Sequence, residues 1–370
     1  MKNLLPVCVF LCSLSGCQQT TTPTAPANGT ASAPATTLIE PDPADAVAAL
    51  EQLHAQLTKN TDGTISVVNL RGTSATDETL QHVACLSHLT SILLNDLPIT
   101  DSGLAFLAGM SAPVLNLDLR GCPVGNDGLA HLTGLKTLKA IRLSGATGTT
   151  TVDDGGMVHL AGLTNLKVLA LDGLWVSEVG LESLYRLTAL EELYMKSTTI
   201  GDDGLQLLSR YPNLRKLRLA FNQISDDGLA HLTALKTLED LDLSENSQVT
   251  DAGMSHLSGL ANLRKLNLWR VAVSDTGVAE LAPLVNLEWL NLDNTQLSDA
   301  GLPALEKMTK LTFLHLGSTK ISDAGLTHLT ALKSLKDLKV TRTAVTEQGV
   351  AQLQPELPNT DIQLLYMEGE

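Results

Sequence analysis

The phrase ISDAGLTHLTAL at 321–332 is nearly duplicated by ISDDGLAHLTAL at 224–235. Close variants stand at 99–110, 124–135, 200–211, 249–260, 273–284 and 297–308. Their shared pattern is an apolar residue, Ser/Thr/Gly, Asp, any residue, Gly and Leu, then leucines at steps of three. Ahead of each copy runs L-x-x-L-x-L, as in LRKLRL at 214–219 and LEWLNL at 287–292. Counted from the first apolar residue, twelve repeats begin at Ile65, Leu89, Val114, Leu138, Leu166, Leu190, Leu214, Leu238, Leu263, Leu287, Leu311 and Leu335. Most are 24 residues long, with one residue inserted after Met110, one near Ser247 and four within 145–156. This periodicity limits the fold more than any other feature. A 24-residue unit cannot bury its own leucines, whereas stacked units bury them in one continuous core.

The physics of one unit follows from its spacing. Leu217 and Leu219 alternate with Lys216 and Arg218, so the leucines point inward and the charges outward from a short strand. A polar turn follows. Ser225 or Asp226 then serves as a helix N-cap, accepting from the orphan amides of the first turn. Leu229, Leu232 and Leu235 give a helical apolar stripe.

These motifs resemble the leucine-rich repeat family, whose consensus is L-x-x-L-x-L-x-x-N/C-x-L. The resemblance covers 65–357 and is to the helix-backed subtype with S/T-D-x-G-L-x-x-L in its second half. It implies an α/β solenoid, a horseshoe with parallel strands on the concave face and helices on the convex face. The family's ninth position holds Asn, Cys or Thr. Here Thr73, Cys122, Thr198, Asn222, Asn246, Thr295, Thr319 and Thr343 fit, while Leu97, Ala146, Leu174 and Val271 depart. The polar ladder is therefore expected to break in the middle.

Asp and His recur within the phrase, which raises the question of a catalytic pair. Six of the nine histidines, His82, His131, His159, His231, His256 and His328, sit one place before the second leucine. No second ligand follows at a fixed spacing, and other repeats carry Phe106, Ser183, Leu207, Glu280 or Ala304 there. The histidines read as structural, and the Asp as a helix cap. No GxSxG, P-loop or HExxH string occurs, so neither an enzyme, a cofactor nor a metal site is expected. The insertion at 145–156 reads as a bulged loop, with Asp153 and Asp154 as the carboxylates a calcium ion would need.

The chain carries 25 Lys+Arg against 40 Asp+Glu, a net charge of −15. Such an acidic surface argues against nucleic acid and favours solubility. Residues 1–17 read as a signal peptide: Lys2, an apolar run over 4–16, then Cys17. The run is too short to span a bilayer. Leu14-Ser15-Gly16-Cys17 resembles the bacterial lipobox, which implies lipidation of Cys17 and a membrane anchor. Each buried CH₂ contributes about 0.8 kcal/mol to such an anchor, so more than one acyl chain makes it stable. The resemblance also implies a cell-envelope location, at the outer membrane if there are two, because Gln18 and not Asp follows the cysteine.

The Thr/Pro/Ala-rich segment 18–43 reads as a disordered tether, 44–64 as an N-terminal cap helix and 358–370 as a C-terminal cap with a last short strand. Cys85 and Cys122 are expected to be buried free thiols, and the chain to be a monomer.

What departs from the repeat lies at outward strand and turn positions. Tyr194, Phe221, Trp269, Trp289 and Phe313, five of the eleven aromatics, fall where packing does not require them. Lys216, Arg218, Arg270, Asn291 and His315 lie close by, with Lys265 at a further outward position. Exposed aromatics with Arg and Asn are the material of binding hot spots. These ten residues, Lys265 aside, are read as a patch for a protein partner. A glycan ligand is the second reading, since exposed Trp faces also stack on sugar rings, and a spacer without a ligand is the third.

Overall fold

A computed structural model describes residues 40–365. The expectations for 1–17 with Cys17, for most of 18–43 and for 366–370 lie outside the described residues. The backbone pattern of the repeats appears directly. Each L-x-L core forms a strand: β2 (Ile65–Asn69), β3 (Ser91–Leu93), β4 (Asn116–Asp118), β5 (Ala140–Ser144), β6 (Val168–Asp172) and β7 (Glu192–Tyr194). The series continues with β8 (Lys216–Arg218), β9 (Asp240–Asp242), β10 (Lys265–Asn267), β11 (Trp289–Asn291), β12 (Phe313–His315), β13 (Asp337–Lys339) and β14 (Asp361–Gln363). These strands pair in sequence order and in parallel, so one open sheet carries one strand per repeat. Inward leucines such as Leu217, Leu241, Leu266 and Leu290 line its other side and are buried with the helix leucines. Burying one such side chain contributes about 1.5–3 kcal/mol.

The cap at 44–64 differs from a single helix. Helix α1 (Ala44–Gln52) ends before Leu53, and β1 (Gln56–Lys59) runs antiparallel to β2. His54 makes the reversal in the left-handed region, at φ 57°. Leu57 had looked like the next turn of a helix, but β2 offers a row of unpaired backbone groups on the first edge of the sheet. Pairing that edge satisfies more hydrogen-bonding groups than another helical turn would, and it covers an edge prone to self-association.

The helical half of each repeat is short and partly 3₁₀. Asp226–Leu229 is α-helical and Ala230–Ala234 is 3₁₀, while Asp299–Leu305 is 3₁₀ throughout and contains Pro303. The reason is legible in the leucines: a step of three residues matches the 3.0 residues per turn of a 3₁₀ helix better than 3.6.

The Asp of the repeated phrase has a role other than the expected cap. The N-cap position belongs to the preceding Ser or Thr; Thr250, Ser274 and Ser298 each accept from the amide two residues on. The Asp is the first helical residue in most repeats, Asp226 and Asp251 among them, and reaches into the next repeat. Asp226 Oδ1 accepts from Thr250 N at 2.7 Å and its Oδ2 from the Thr250 hydroxyl at 2.5 Å. Asp77, Asp154, Asp202, Asp251, Asp275, Asp299 and Asp323 do the same toward Thr100, Ser177, Ser225, Ser274, Ser298, Ser322 and Thr346. The amide and hydroxyl of Thr346 hold the Asp323 carboxyl below the ordinary carboxylate range.

The clamp also explains the glycine. A Cβ at Gly228 would lie 2.1 Å from Asp202 Oδ1, and one at Gly349 2.0 Å from Asp323 Oδ1. The S/T-D-x-G string is thus a joint between repeats, and each of its three fixed residues is needed for the fit. Where the string changes, so does the joint. Asp101 bonds only the amide of Gly125, and Asn126 makes an amide bridge to Asp153 instead of a carboxylate clamp. Asp153 also caps the helix Asp154–Leu160, so both carboxylates of the insertion are occupied by protein groups.

At the ninth position, Asn246 is fully buried and donates to the Leu219 and Leu243 carbonyls, while its Oδ1 accepts from Asn222 N. Asn222 in turn accepts from Thr198 N, so a run crossing repeats lies between the breaks at Leu174 and Val271. Thr295, Thr319 and Thr343 bond carbonyls of their own repeats. Cys122 is buried and donates to the Leu94 carbonyl, and burial pushes its thiol up to about 11. Cys85 is exposed, against the expectation, because it follows the last turn of the helix Thr79–Ala84 on its outer side.

Candidate functional site

The sheet register brings the singled-out residues onto one face, in three groups. The first is a ring stack. Trp289 on β11 and Phe313 on β12 are direct register partners, and their rings lie 4.9 Å apart and 5° from parallel. His315 meets the edge of Phe313 at 6.3 Å. Both stacked rings are only half-buried, so the pair keeps solvent-facing apolar surface.

The second group surrounds a cavity of about 350 Å³ lined by Tyr194, Lys216, Arg218, Asp240, Asp242, Lys265, Asn267 and Trp289. Its charges are mostly paired across strands. Lys216 Nζ lies 2.8 Å from Glu192, and Arg218 bridges Asp172 at 3.0 Å while stacking 5.2 Å from the Tyr194 ring. The Tyr194 hydroxyl donates to Glu192 at 2.7 Å; burial, then this carboxylate, pushes the phenol up. Burial also works to raise Glu192, but the bonds from Lys216 and Tyr194 outweigh it and hold the carboxyl below its usual range. Asp240 is the exception: burial raises its carboxyl despite Lys265 and Lys216.

The third group lines a cavity of about 490 Å³ formed by Trp269, Arg270, Asn291, Asp293, Asn294, His315, Ser318, Thr341 and Arg342. Arg270 stacks 5.3 Å from the Trp269 ring and reaches Glu245 at 3.3 Å. Gly317 lies against this group: a Cβ there would lie 2.8 Å from Asp293 Oδ1, 2.8 Å from His315 Nε2 and 2.9 Å from Thr341 Oγ1, so those side chains would have to shift. Asp293 and His315 are 3.9 Å apart, beyond hydrogen-bond reach, and with the Thr341 hydroxyl they make a polar wall. Among the described residues no group of three or more His, Cys, Asp or Glu is placed to hold a metal.

Phe221 stands apart from these groups. It is 59% exposed beside Asn222, Gln223 and Glu245, in a left-handed conformation at φ 53°. Arg270, Asn294, Ser318 and Arg342 share that conformation at the same repeat position. A left-handed Phe is strained relative to Gly or Asn.

Sequence reasoning missed Asp240, Asp293, Asn294, Ser318, Thr341 and Arg342. The signal was available, since Asn294, Ser318 and Arg342 hold the eighth position already recognised for Phe221 and Arg270. Trp175 was also missed; it is 78% exposed at the tenth position, outside the strands.

Comparison with known proteins bears on the repeats. Family models described as leucine rich repeat match residues 212–270, and residues 187–209 and 307–329. No curated protein sequence matches the chain. Among solved structures, an internalin from Listeria monocytogenes is similar, at 18% identity and a TM-score of 0.62, over 91% of this chain and 100% of that one. A chain of the yeast Rad7 and Elc1 complex is similar at 21% identity and a TM-score of 0.50, over 78% of this chain and 83% of that one. At such identities the likeness concerns the fold. With one strand per repeat in a single open sheet, and with these matches, the fold is that of a leucine-rich-repeat solenoid.

Proposed function

We propose that the chain is a recognition module that offers its open sheet face to a protein partner, without catalysis of its own. The observation that carries this reading is the Trp289–Phe313 stack, two large rings held half-exposed where the core does not need them. Tyr194, Lys216, Arg218, Trp269, Arg270, Asn291 and His315 border the same face, and Phe221 stands at its margin. Fully desolvating such rings against a partner is what gives a hot spot its weight. The yeast relative was solved with a partner, Elc1, which is consistent with the fold serving as a docking scaffold. A glycan stays as the second reading, favoured by the indole-lined cavity with Asn291, Asn294 and Asp293 in its wall.

We further propose, from Leu14-Ser15-Gly16-Cys17, that a lipid on Cys17 holds the module at a bacterial cell envelope, facing periplasm or exterior, with 18–43 as its tether. The test has two arms. Pull-down from solubilised envelope compares the wild type with the Trp269→Ala, Trp289→Ala and Phe313→Ala triple variant; a partner captured equally by both refutes the face. Metabolic labelling with an alkyne fatty acid compares the full chain with Cys17→Ser; equal labelling refutes the anchor.

A further inference from the structure

The charges of the open face are unevenly compensated. Lys216, Arg218 and Arg270 meet Glu192, Asp172 and Glu245 of neighbouring repeats. Three carboxylates on the same face, Asp240, Asp337 and Asp361, form no ion pair among the described residues. They share one row of the register, which runs Asp240, Lys265, Trp289, Phe313, Asp337, Asp361 across β9 to β14. Asp337 and Asp361 are direct partners across β13 and β14, and like charges so placed repel. At the other end Asp240 and Trp289 line one cavity, with Lys265 between them in the register. Burial raises the Asp240 carboxyl, against the pull of Lys265 and Lys216. The sequence reading put the partner-seeking charge on Lys216, Arg218 and Arg270, but those are neutralised within the chain. Lys265, between Asp240 and Trp289 in the same row, forms no ion pair among the described residues either, so three carboxylates against one ammonium leave the row net negative.

We propose that the occupant of this row is an extended protein segment that lays an apolar side chain on the Trp289–Phe313 pair and directs basic side chains to Asp240 on one side and to Asp337 and Asp361 on the other. This rests on the protein-binding reading of the face. Spacing gives the segment a pattern. Asp240 and Asp337 are four strand intervals apart, roughly 19 Å at about 4.8 Å per interval. An extended chain advances about 3.3 Å per residue, so the two basic residues stand about six positions apart, with the apolar residue between them.

The probe is a phage-displayed random dodecapeptide library selected on the full chain. Two variants are selected in parallel, Asp240→Asn/Asp337→Asn/Asp361→Asn and Trp289→Ala/Phe313→Ala, each first checked by circular dichroism. The expected result is enrichment of peptides with Lys or Arg at that spacing around a large apolar residue. Their synthetic versions bind about tenfold more weakly to the Asn variant and weaken with added salt. Enriched peptides without a basic preference, lost only on the aromatic variant, overturn this inference and leave the protein-binding face standing. Enrichment no better than on the aromatic variant overturns both.

Discussion

Gly228→Ala tests the joint between repeats, because two effects there have opposite signs. Alanine is favoured over glycine in a helix by up to about 1 kcal/mol, so propensity alone makes the substitution stabilising. The added Cβ, however, would lie 2.1 Å from Asp202 Oδ1. The carboxylate has to swing out, giving up its bonds to the Ser225 amide at 2.8 Å and hydroxyl at 2.5 Å. A hydrogen bond to a charged group contributes about 1.5–3 kcal/mol, and two bonds on one half-exposed carboxylate together contribute about 2–3 kcal/mol. The clamp therefore wins, and Gly228→Ala destabilises by about 1–2 kcal/mol. In an Asp202→Ala background the clamp is already gone. The nearest remaining atom identified there is the Asp202 Cα at 3.2 Å, so the substitution becomes neutral or slightly stabilising. Urea unfolding of the four proteins, followed by circular dichroism, gives the cycle. A Gly228→Ala protein as stable as the parent, or an equal cost in both backgrounds, refutes the joint.

Two further outcomes follow from buried groups. Asn246→Ala strips the Leu219 and Leu243 carbonyls and the Asn222 amide of their partner, and should cost about 2–4 kcal/mol in the same unfolding assay; a loss below about 1 kcal/mol would show that the run is incidental. In the native chain at pH 8, iodoacetamide should label Cys85 and spare Cys122, whose thiol burial pushes up to about 11; equal labelling by peptide mass mapping would place Cys122 in contact with solvent.

The solenoid was legible because its period is carried by leucines, whose burial is the main stabilising contribution. Three things were hidden by the physics of single repeats. The Asp of the phrase looks like a cap in one unit and becomes a joint only when the next unit is placed beside it. Leu57 continues the near-helical spacing of Val47, Leu50 and Leu53, but the unpaired edge of β2 decides Gln56–Lys59 in favour of a strand. Lys216 looks like a free cation until a shift of 24 residues puts Glu192 beside it. The aromatic pair was foreseen for the same reason in reverse: Trp289 and Phe313 are also 24 apart, and that spacing alone makes them neighbours.

The altered joint around the insertion has a consequence for cooperativity. At eight joints a carboxylate takes two bonds from the next repeat, whereas Asp101 and Glu178, on either side of the insertion, take one each, from the amides of Gly125 and Gly201. Between the helices Asn126–Ala130 and Asp154–Leu160 the fastening is an exposed neutral amide against Asp153. In a chain whose stability is a sum of nearest-neighbour couplings, a weak coupling divides the array. The expected outcome is that the units before the insertion open as one foldon and those after it as another. Amide exchange would then show a step in protection across the insertion, with the segment bearing Trp289 and Phe313 staying closed while the first repeats open.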